Sequence, residues 1–457
     1  MRMVAVCVLA ACGGSPRSTV PTVKPVGDTG THSAEVAALV QPMIDAEISG
    51  SIVVGIYDAG KSEVYGFGKG PDGKPPTGTT LYELGSITQI YTNLMLADAV
   101  QRREVALDTN LAELVPPGVT VPTFQDTRVN LGMLATHTSG LPKQPPSLMR
   151  RSGSQDPYGA YTEDALYSDL INTHFDVQPG TQINVSTFGA GVLGFVLGRK
   201  IGGGVVNAVS LRVLKPLGLE STYFKVPDGA KGRREVGTNI DLAPVPYWTW
   251  DALAGAGGLV SSARDQLALI DAELDAASGS KQTLRAAMRL SQEEQLPATT
   301  GPNEGLGWDI DTEGRYWHNG GTGGFRSFVG FDPKTRRGVV ILSSTAVSLV
   351  DHLALDLYKL MAKEAVKPFA PPAIEALQPF VGTYQLGEFK LAVTIQNKRV
   401  YITGKGEQPL RLIPLSDHEL WFEAQQAVVV FEKEGDKVVR ALFVIGAQRL
   451  AAPRIAD

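Results

Sequence analysis

Cysteine is almost absent from this 457-residue chain, and both residues of that type, Cys7 and Cys12, lie at its start. No disulfide or thiolate site is therefore available to the rest of the chain. The six histidines are scattered without the spacing of metal ligands, so we expect no metal and no other cofactor. The sequence also lacks a Gly-x-Ser-x-Gly motif and a phosphate-binding Walker loop, which argues against an α/β-hydrolase and a P-loop enzyme.

Positive charge is not in excess either. Lysine and arginine number 42 against 47 acidic residues, which gives a net charge of -5 and a pI near 5.8. No basic face can dominate at that balance, so we expect no nucleic-acid partner. The 43% hydrophobic and 19% charged composition is that of ordinary globular material, long enough for two or more domains.

Long apolar runs are missing, apart from a short one at the start. Arg2 precedes the apolar residues 3–11, and Leu9-Ala10-Ala11-Cys12 resembles a bacterial lipobox, in which the cysteine is lipidated. The run is too short to span a bilayer and short even for a signal peptide, so an uncleaved apolar N-terminus is the alternative. We interpret residues 1–32 as a lipoprotein signal and flexible tether. They predict an extracytoplasmic protein held at a bacterial membrane, in the periplasm or cell envelope, by a lipid on Cys12.

Hydrophobic periodicity predicts a mixed α/β domain over residues 33–362. A helix begins near Ser33, a β-hairpin follows at 51–70, strands return between 305 and 344, and a helix over 346–362 closes the domain. Strands at both ends imply one sheet completed by the two termini of the domain. Between them, helical patterns cover residues 88–100, 107–114, 163–174, 189–200, 206–214 and 255–270.

Beyond a proline-marked linker at residues 363–379, the pattern becomes one of short strands parted by turns. That spacing over residues 380–457 indicates a small all-β barrel or sandwich. The region offers no clustered acid, base or metal ligand, so we expect a structural or substrate-limiting role.

The most informative stretch is LYELGSITQIYTNLMLADAV, residues 81–100, in which Gly85 and Ser86 open an apolar-periodic helix. A serine in the first turn of a helix lies near unpaired N–H groups that favour developing negative charge, which suits a nucleophile. The simpler alternative is that Ser86 only caps the helix.

Two further segments lie at wide spacing from Ser86: THTSGLP at residues 136–142 and WHNGGTGGFRSFVGFDP at 317–333. Together with GGLVSSARD at 257–265 and the Gly-Leu-Gly-Trp run at 305–308, they resemble the serine β-lactamase and penicillin-binding-protein superfamily. The most similar branch is that of class C β-lactamase-like esterases and D-aminopeptidases. The resemblance spans roughly residues 33–362 and implies an antiparallel sheet with flanking helices and an all-helical insertion.

The resemblance also implies acyl transfer through a serine ester. By position, Ser86 is the nucleophile, and His318-Asn319-Gly320 is the strand edge that pairs with the substrate. The backbone N–H groups of Ser86 and Gly321 are the implied oxyanion donors. The implied partner is a small acyl or peptide-like molecule.

Two positions depart from the family pattern. Gln89 stands where the family has its catalytic lysine, and its amide cannot act as a base near neutral pH. After Pro179-Gly180-Thr181, Val185 replaces the family tyrosine and Thr187 the asparagine. We therefore expect a slow or degenerate serine hydrolase for an ester, amide or β-lactam. The alternatives are a catalytically inactive ligand-binding lipoprotein and a purely structural envelope protein.

Several other side chains carry two interpretations. His318 either anchors the strand edge or acts as a substitute general base. We interpret His137 as a turn residue and Tyr91 as packing on its helix, while Trp248 and Trp250 either line a cleft or lie in the core. Specificity in this fold depends on loops, and the irregular stretch at residues 143–161 is long enough to contribute.

Overall fold

The computed structural model describes residues 30–149, 154–276, 283–295 and 303–455. Its larger domain is built on an antiparallel sheet of seven strands in the order β2-β1-β11-β10-β9-β8-β7. These strands are β1 (Ser51–Asp58), β2 (Lys61–Gly68), β7 (Asn303–Glu304), β8 (Asp309–Ile310), β9 (Tyr316–Gly321), β10 (Arg326–Asp332) and β11 (Arg337–Ser343). Two short ladders lie outside this sheet: β3 (Leu81–Glu83) with β6 (Val260–Ser262), and β4 (Thr123–Phe124) with β5 (Thr127–Arg128).

The sheet joins the two ends of the domain, as the sequence predicted. Strand β1 is buried along nearly its whole length and pairs with β11, with Ile52 opposite Ser343 and Asp58 opposite Arg337. Continuous burial on both faces is typical of a central strand covered by helices on each side. The predicted mixed α/β sheet is therefore confirmed.

Helices cover both faces of the sheet. The helices are α1 (Ser33–Asp45), α2 (Thr88–Gln101), α3 (Leu131–Ala135), α4 (Pro146–Met149), α5 (Glu163–Ile171), α6 (Thr187–Ile201), α7 (Gly204–Val209), α8 (Ala254–Gly257), α9 (Ala263–Ala276), α10 (Thr283–Gln292) and α11 (Leu353–Met361). Helices α1 and α11 share one apolar core with one face of the sheet, and α2, α9 and the insertion helices share the other. Helix α2 is buried almost throughout, so the segment that begins at Ser86 runs through the centre of this second core.

One predicted helix was wrong. Residues 107–114 form only a single 3₁₀ turn, Leu111–Glu113, and no helix. The side chain of Asn110 accepts a hydrogen bond from the Ala112 N–H and so starts a new turn in the middle of the expected helix. The prolines at 116 and 117 leave too few residues after that cap for a helix to continue.

The C-terminal region is a closed barrel of eight strands, which confirms the predicted all-β fold and selects the barrel. The strands are β12 (Gly382–Leu386), β13 (Phe389–Gln396), β14 (Arg399–Gly404), β15 (Leu410–Pro414), β16 (Glu419–Phe422), β17 (Ala427–Glu434), β18 (Lys437–Ile445) and β19 (Gln448–Ile455). A 3₁₀ turn before the first strand, Ile374–Phe380, places Leu377 and Phe380 in the barrel core. Arg411 joins the barrel to the larger domain by donating to the carbonyls of Glu47 and Ile240.

Cys12 and the rest of the predicted lipoprotein signal lie outside the described residues. Within the described residues, no single helix has both the length and the apolar character needed to cross a membrane. The only candidate there is a pair of helical segments, Thr187–Ile201 and Gly204–Leu214, which meet at a 73° bend.

Candidate active site

Ser86 lies in a tight 3₁₀ turn, Gly85–Ile87, that runs directly into α2. The turn is fixed on two sides, because the Leu84 N–H donates to the Leu259 carbonyl at 2.9 Å and the Leu84 carbonyl accepts from Ser327 Oγ at 2.7 Å. The side chain of Ser86 is half-buried, and its hydroxyl makes no hydrogen bond to any other described residue. Ser86 therefore does not cap the helix, and its hydroxyl has no structural partner there.

Two glycines let the serine turn approach β9 at backbone distance. A Cβ atom on Gly320 would lie 2.0 Å from the Leu84 carbonyl oxygen and 3.0 Å from the Ser86 nitrogen. Gly85 has a φ of +53°, and a Cβ atom there would lie 2.6 Å from the nitrogen of Gly321. The backbones around Ser86 and Gly321, the two implied oxyanion donors, therefore meet at one end of β9.

Gln89 follows Ser86 by three residues and is 2% exposed. Its side-chain nitrogen donates to the carbonyl of Ala256 at 3.3 Å. The amide is thus satisfied by backbone, and it supplies no base at the position where the family has one.

The segment with Val185 and Thr187 leads into α6. Val185 is 58% exposed, so its side chain is not part of the core. Ser186 caps α6 by accepting from the Gly189 N–H at 2.8 Å, while the Thr187 N–H donates to the Lys143 carbonyl at 2.9 Å. Neither Val185 nor Thr187 brings a titratable group to the site.

Two histidines approach the site from different elements. His137 has a left-handed φ of +57° in the turn after α3, and its Nδ1 accepts from the Ser186 N–H at 3.1 Å. Burial lowers the pKa of His137 to about 4, with a smaller contribution from the charge of His318. His318 is half-buried on β9, and its Nδ1 lies 2.6 Å from the carbonyl oxygen of Asn319.

Asn319 points to the other face of β9. Its side-chain nitrogen donates to Asp351 at 2.8 Å, and Arg326 Nε donates to the same carboxylate at 2.9 Å. Burial raises the pKa of Asp351, and the Arg326 charge opposes that rise. The sequence analysis did not predict this pair. The available signal was Arg326, the one arginine or lysine in the stretch WHNGGTGGFRSFVGFDP.

A pair of carboxyl groups lies at the sheet edge beside β9. Glu304 on β7 is opposite Asp309 on β8. Burial, and then the charge of Asp309, raise the pKa of Glu304 to about 8, while burial raises that of Asp309 against the opposing charge of His318. No group of three or more metal-ligating side chains occurs in the described parts of the chain.

Aromatic side chains form a wall beside the site. Trp250 stacks on Tyr158 with ring centroids 4.1 Å apart, and Trp248 packs on both rings. A Cβ atom on Gly257 would lie 2.3 Å from the Trp250 ring, and one on Gly323 would lie 2.7 Å from Trp248 Nε1. Both tryptophans are partly exposed, so they line a surface and are not enclosed in the core.

Tyr91 lies elsewhere, as expected. Its ring is fully buried in α2, and its hydroxyl accepts from Gln266 at 2.7 Å. It therefore packs on its helix and does not replace the missing phenol.

This geometry, with an uncommitted serine hydroxyl at the start of a buried helix and a sheet strand meeting it at backbone distance, is that of a serine acyl-transfer site. Residues 36–362 match the Beta-lactamase protein family, and the chain belongs to that family of serine hydrolases.

Individual relatives agree with this assignment. The chain is 26% identical to the D-alanyl-D-alanine-carboxypeptidase/endopeptidase AmpH of Escherichia coli strain K12, over 58% of this chain and 70% of that protein. It is 26% identical to a β-lactamase of the same strain, over 67% and 86%. It is 27% identical to penicillin-binding protein 4 of Amycolatopsis lactamdurans, over 68% and 85%. The fold matches a class C β-lactamase from Rhodobacter sphaeroides with a TM-score of 0.62 and 24% identity, covering 72% of this chain and 99% of that one.

Proposed function

We propose that this protein hydrolyses a carbonyl substrate slowly through an acyl-Ser86 intermediate, and that its best substrates are esters. The observation that carries the proposal is the Ser86 hydroxyl, which has no hydrogen-bond partner in the described parts of the chain and lies where the backbone of Gly320 meets the serine turn. The relatives named as β-lactamases and as a carboxypeptidase support a carbonyl substrate. Holding an acyl group and its oxyanion needs only this backbone and the hydroxyl.

The expected rate is low because the usual proton carriers are missing. Gln89 donates its amide to Ala256, and Val185 is an exposed aliphatic side chain. General acid–base catalysis contributes roughly a hundred- to ten-thousand-fold in enzymes. Serine hydrolases that lose a catalytic group retain roughly a thousand- to ten-thousand-fold over water from binding and the oxyanion hole. Loss of the carriers is therefore expected to slow acylation without abolishing it.

The same deficit favours esters over amides. An amine must gain a proton before it can leave, whereas an alkoxide or phenoxide leaves with far less assistance. A site in which Gln89 and Val185 replace the proton carriers loses most of its rate on amides and least on esters with good leaving groups. A strained β-lactam amide lies between these limits.

The second candidate is a ligand-binding protein without turnover. It is favoured by Gln89, whose buried amide is satisfied by the Ala256 carbonyl and so stabilises the pocket without contributing chemistry. Such a protein would hold an acyl or peptide-like ligand against β9 and release it unchanged.

The start of the chain indicates where in the cell this protein is located. We infer from the Leu9-Ala10-Ala11-Cys12 run that a lipid on Cys12 anchors the protein on the outer side of a bacterial membrane. Metabolic labelling with an alkyne fatty acid is expected to mark the wild-type protein and to fail for Cys12→Ser. Equal labelling of both would contradict a lipid on Cys12, and Cys7→Ser provides the matched control.

The activity is tested by covalent labelling of Ser86. A fluorophosphonate or a fluorescent penicillin should label the wild type, and Ser86→Ala should abolish the label. Turnover is then compared on a p-nitrophenyl ester and a p-nitroanilide that carry the same acyl group, and the ester is expected to react much faster. Ligand binding by calorimetry without labelling or turnover would support the second candidate.

A further inference from the structure

We propose that His318 is the general base for Ser86 and thus a catalytic residue that accepts the serine proton in place of the missing lysine. The inference rests on the proposed acyl-Ser86 chemistry and adds to it the group that accepts the serine proton. Two features of the ring support it: its tautomer and the face of β9 from which it rises. A third observation is that several neighbouring side chains, which could otherwise act as the base, already have other partners.

The contact of Nδ1 determines the tautomer. Nδ1 of His318 lies 2.6 Å from the carbonyl oxygen of Asn319, and a carbonyl can only accept a hydrogen bond. Nδ1 therefore carries the hydrogen, and in the neutral ring Nε2 carries the free lone pair. The backbone thus fixes the ring with its basic nitrogen turned away from Asn319, which is the role that an orienting group has in a catalytic triad.

The alternation of β9 gives the direction of the ring. Residues two apart on a strand share a face, so His318 and Gly320 point to the same side. On that side a Cβ atom of Gly320 would lie 3.0 Å from the Ser86 nitrogen. Asn319 points the other way, to Asp351. His318 therefore rises from the face of β9 that meets the serine turn, two residues from its contact point.

Four side chains near the site already have other partners: His137, Tyr158, Tyr91 and Gln89. The Nδ1 atom of His137 accepts from the Ser186 N–H, so that ring carries its hydrogen on Nε2 and presents a donor, not a base. The hydroxyl of Tyr158 donates to Gln144, and that of Tyr91 accepts from Gln266. Gln89 is bound to Ala256 and cannot accept a proton near neutral pH.

Charges around His318 suit a ring that becomes positive during the reaction. Asp309 on β8 interacts with it, and Glu304 on β7 interacts in turn with Asp309. His137 also interacts with the ring and is kept neutral by burial, which lowers its pKa to about 4. A negative charge on Asp309 attracts the positive charge that the ring gains as it accepts the proton, and a neutral His137 does not oppose it.

The reaction forms an ester on Ser86 and then hydrolyses it. Substrate binding brings the hydroxyl and the ring together, since catalytic hydrogen bonds are often long before substrate binds. The Ser86 oxygen attacks the ester carbonyl carbon while Nε2 of His318 takes the serine proton. The carbon–oxygen bond to the leaving group then breaks without a proton from the ring, the departing alkoxide or phenoxide takes a proton from water, and the imidazolium gives its proton to the solvent. The products are acyl-Ser86 and an alcohol. The same ring then takes a proton from the water that attacks the acyl carbon, the bond to the Ser86 oxygen breaks, and the ring returns the proton to that oxygen as the acid leaves.

The test measures the rate at which a fluorophosphonate labels Ser86 in the full chain between pH 5 and pH 9. The wild-type rate should rise with pH to a plateau, because only the unprotonated ring is a base. His318→Asn keeps an N–H donor for the Asn319 carbonyl but removes the base. It should lower the plateau by about a hundredfold or more and remove the rise. His174→Asn, the same change at an exposed histidine, is the matched control.

Three outcomes decide the inference. Restored labelling of His318→Gly by added imidazole, but not of Ser86→Ala, supports the base. A His318→Asn variant that labels at the wild-type rate with the wild-type pH profile means that the ring only anchors the strand, and it overturns the inference alone. Wild-type protein that never labels overturns the proposed function together with it. Lowered labelling of a His318 variant supports the inference only if its melting temperature equals that of the wild type. If a variant melts lower, rescue by imidazole separates loss of the base from loss of folding.

Discussion

The two halves of the candidate site differ in how tightly the fold constrains them. The half that holds an acyl group consists of backbone: the Ser86 turn and the end of β9 approach so closely that neither Gly85 nor Gly320 has room for a Cβ atom. The half that should move protons consists of side chains, and there Gln89 is satisfied by a carbonyl while Val185 is exposed to solvent.

This difference explains how the proton carriers can be replaced without loss of the fold. A substitution at Gly85 or Gly320 forces backbone atoms apart. A change at an exposed position such as 185 usually alters stability by only about 0.5 kcal/mol, and the buried amide of Gln89 is satisfied by the Ala256 carbonyl. Chemistry that depends on side chains can therefore be lost separately from the architecture that holds the substrate. Substitutions in each half test whether the backbone that holds the acyl group and the side chains that move protons are independent, and the largest effect is expected in the backbone half.

The strongest test disturbs the backbone half. Gly85→Ala is expected to abolish fluorophosphonate labelling of Ser86, because the new Cβ atom would lie 2.6 Å from the nitrogen and oxygen of Gly321. The left-handed φ of +53° adds about 1 to 2 kcal/mol for an alanine. Labelling intensity and thermal melting measure the two effects.

Gly118→Ala separates strain from collision. Gly118 also has a left-handed φ, of +93°, but no atom lies within 4 Å of where its Cβ would be. This control should label normally and lose only the cost of the backbone conformation. Normal labelling of Gly85→Ala would contradict the view that the close approach to Gly321 builds the site.

The second test restores the proton half. The triple variant Gln89→Lys, Val185→Tyr and Thr187→Asn is expected to accelerate acylation by about a hundredfold or more, since it returns both carriers to a preserved backbone. Position 89 is 2% exposed, and such burial favours the neutral form of a lysine, which is the form that acts as a base. Burst kinetics with a p-nitrophenyl ester measure the change.

Gln101→Lys at the exposed end of α2 is the control for added charge on the same helix. It should leave acylation unchanged. If the triple variant folds but its acylation rate does not rise, the cleft itself has been remodelled. The backbone half of the site would then not be preserved.

A third test concerns the support beneath the backbone half. Glu273 is fully buried, and its carboxyl accepts from Gln292 at 2.6 Å, while the carbonyl of Gln292 accepts from Tyr316 on β9 at 3.0 Å. Burial raises the pKa of Glu273 from 4.5 to about 8. Because the folded-state pKa lies above the unfolded one, the stabilising contribution is complete below about pH 4.5 and is lost as pH rises through 8.

The loss is on the order of 5 kcal/mol at pH 9 for a shift of this size. Glu273→Gln removes the charge, so its melting temperature should fall less between pH 5 and pH 9 than that of the wild type. Equal falls for both proteins would show that the carboxyl is not the group that titrates. Glu313→Gln, at an exposed turn, is the control.

The sequence predicted the parts of this molecule that follow from periodicity and motif. The pairing of β1 with β11 followed from apolar strands at both ends of the domain, and the helix that begins after Ser86 followed from a polar turn that precedes an apolar-periodic stretch. The helix expected at residues 107–114 failed because a local side-chain bond from Asn110 competes with helix formation.

Contacts between distant segments could not be derived from the sequence. The bond of Gln89 to Ala256 and the link between Asn319 and Asp351 each join residues whose proximity the chain order does not reveal. The tautomer of His318 depends on the orientation of its ring toward the carbonyl of the next residue, which the sequence does not give either. A motif places a residue type on a strand or helix, but only the packing of that element decides which atom is free to react.

The smallest expected effect lies at the aromatic wall, outside both halves. Trp250 packs over Gly257, next to the residue whose carbonyl binds Gln89, and its ring stacks on Tyr158 at 4.1 Å. An aromatic pair contributes about 0.5 to 1.5 kcal/mol beyond the area it buries, which corresponds to a change of roughly two- to tenfold. Trp250→Leu should therefore raise KM for an ester with an aromatic acyl group by that factor, and leave KM for an acetyl ester nearly unchanged.

Trp421→Leu on the barrel is the matched control and should change neither KM value. Equal effects of Trp250→Leu on both esters would mean that the wall supports the site as a whole and does not contact the acyl group, and substrate selection would then depend on the backbone half alone.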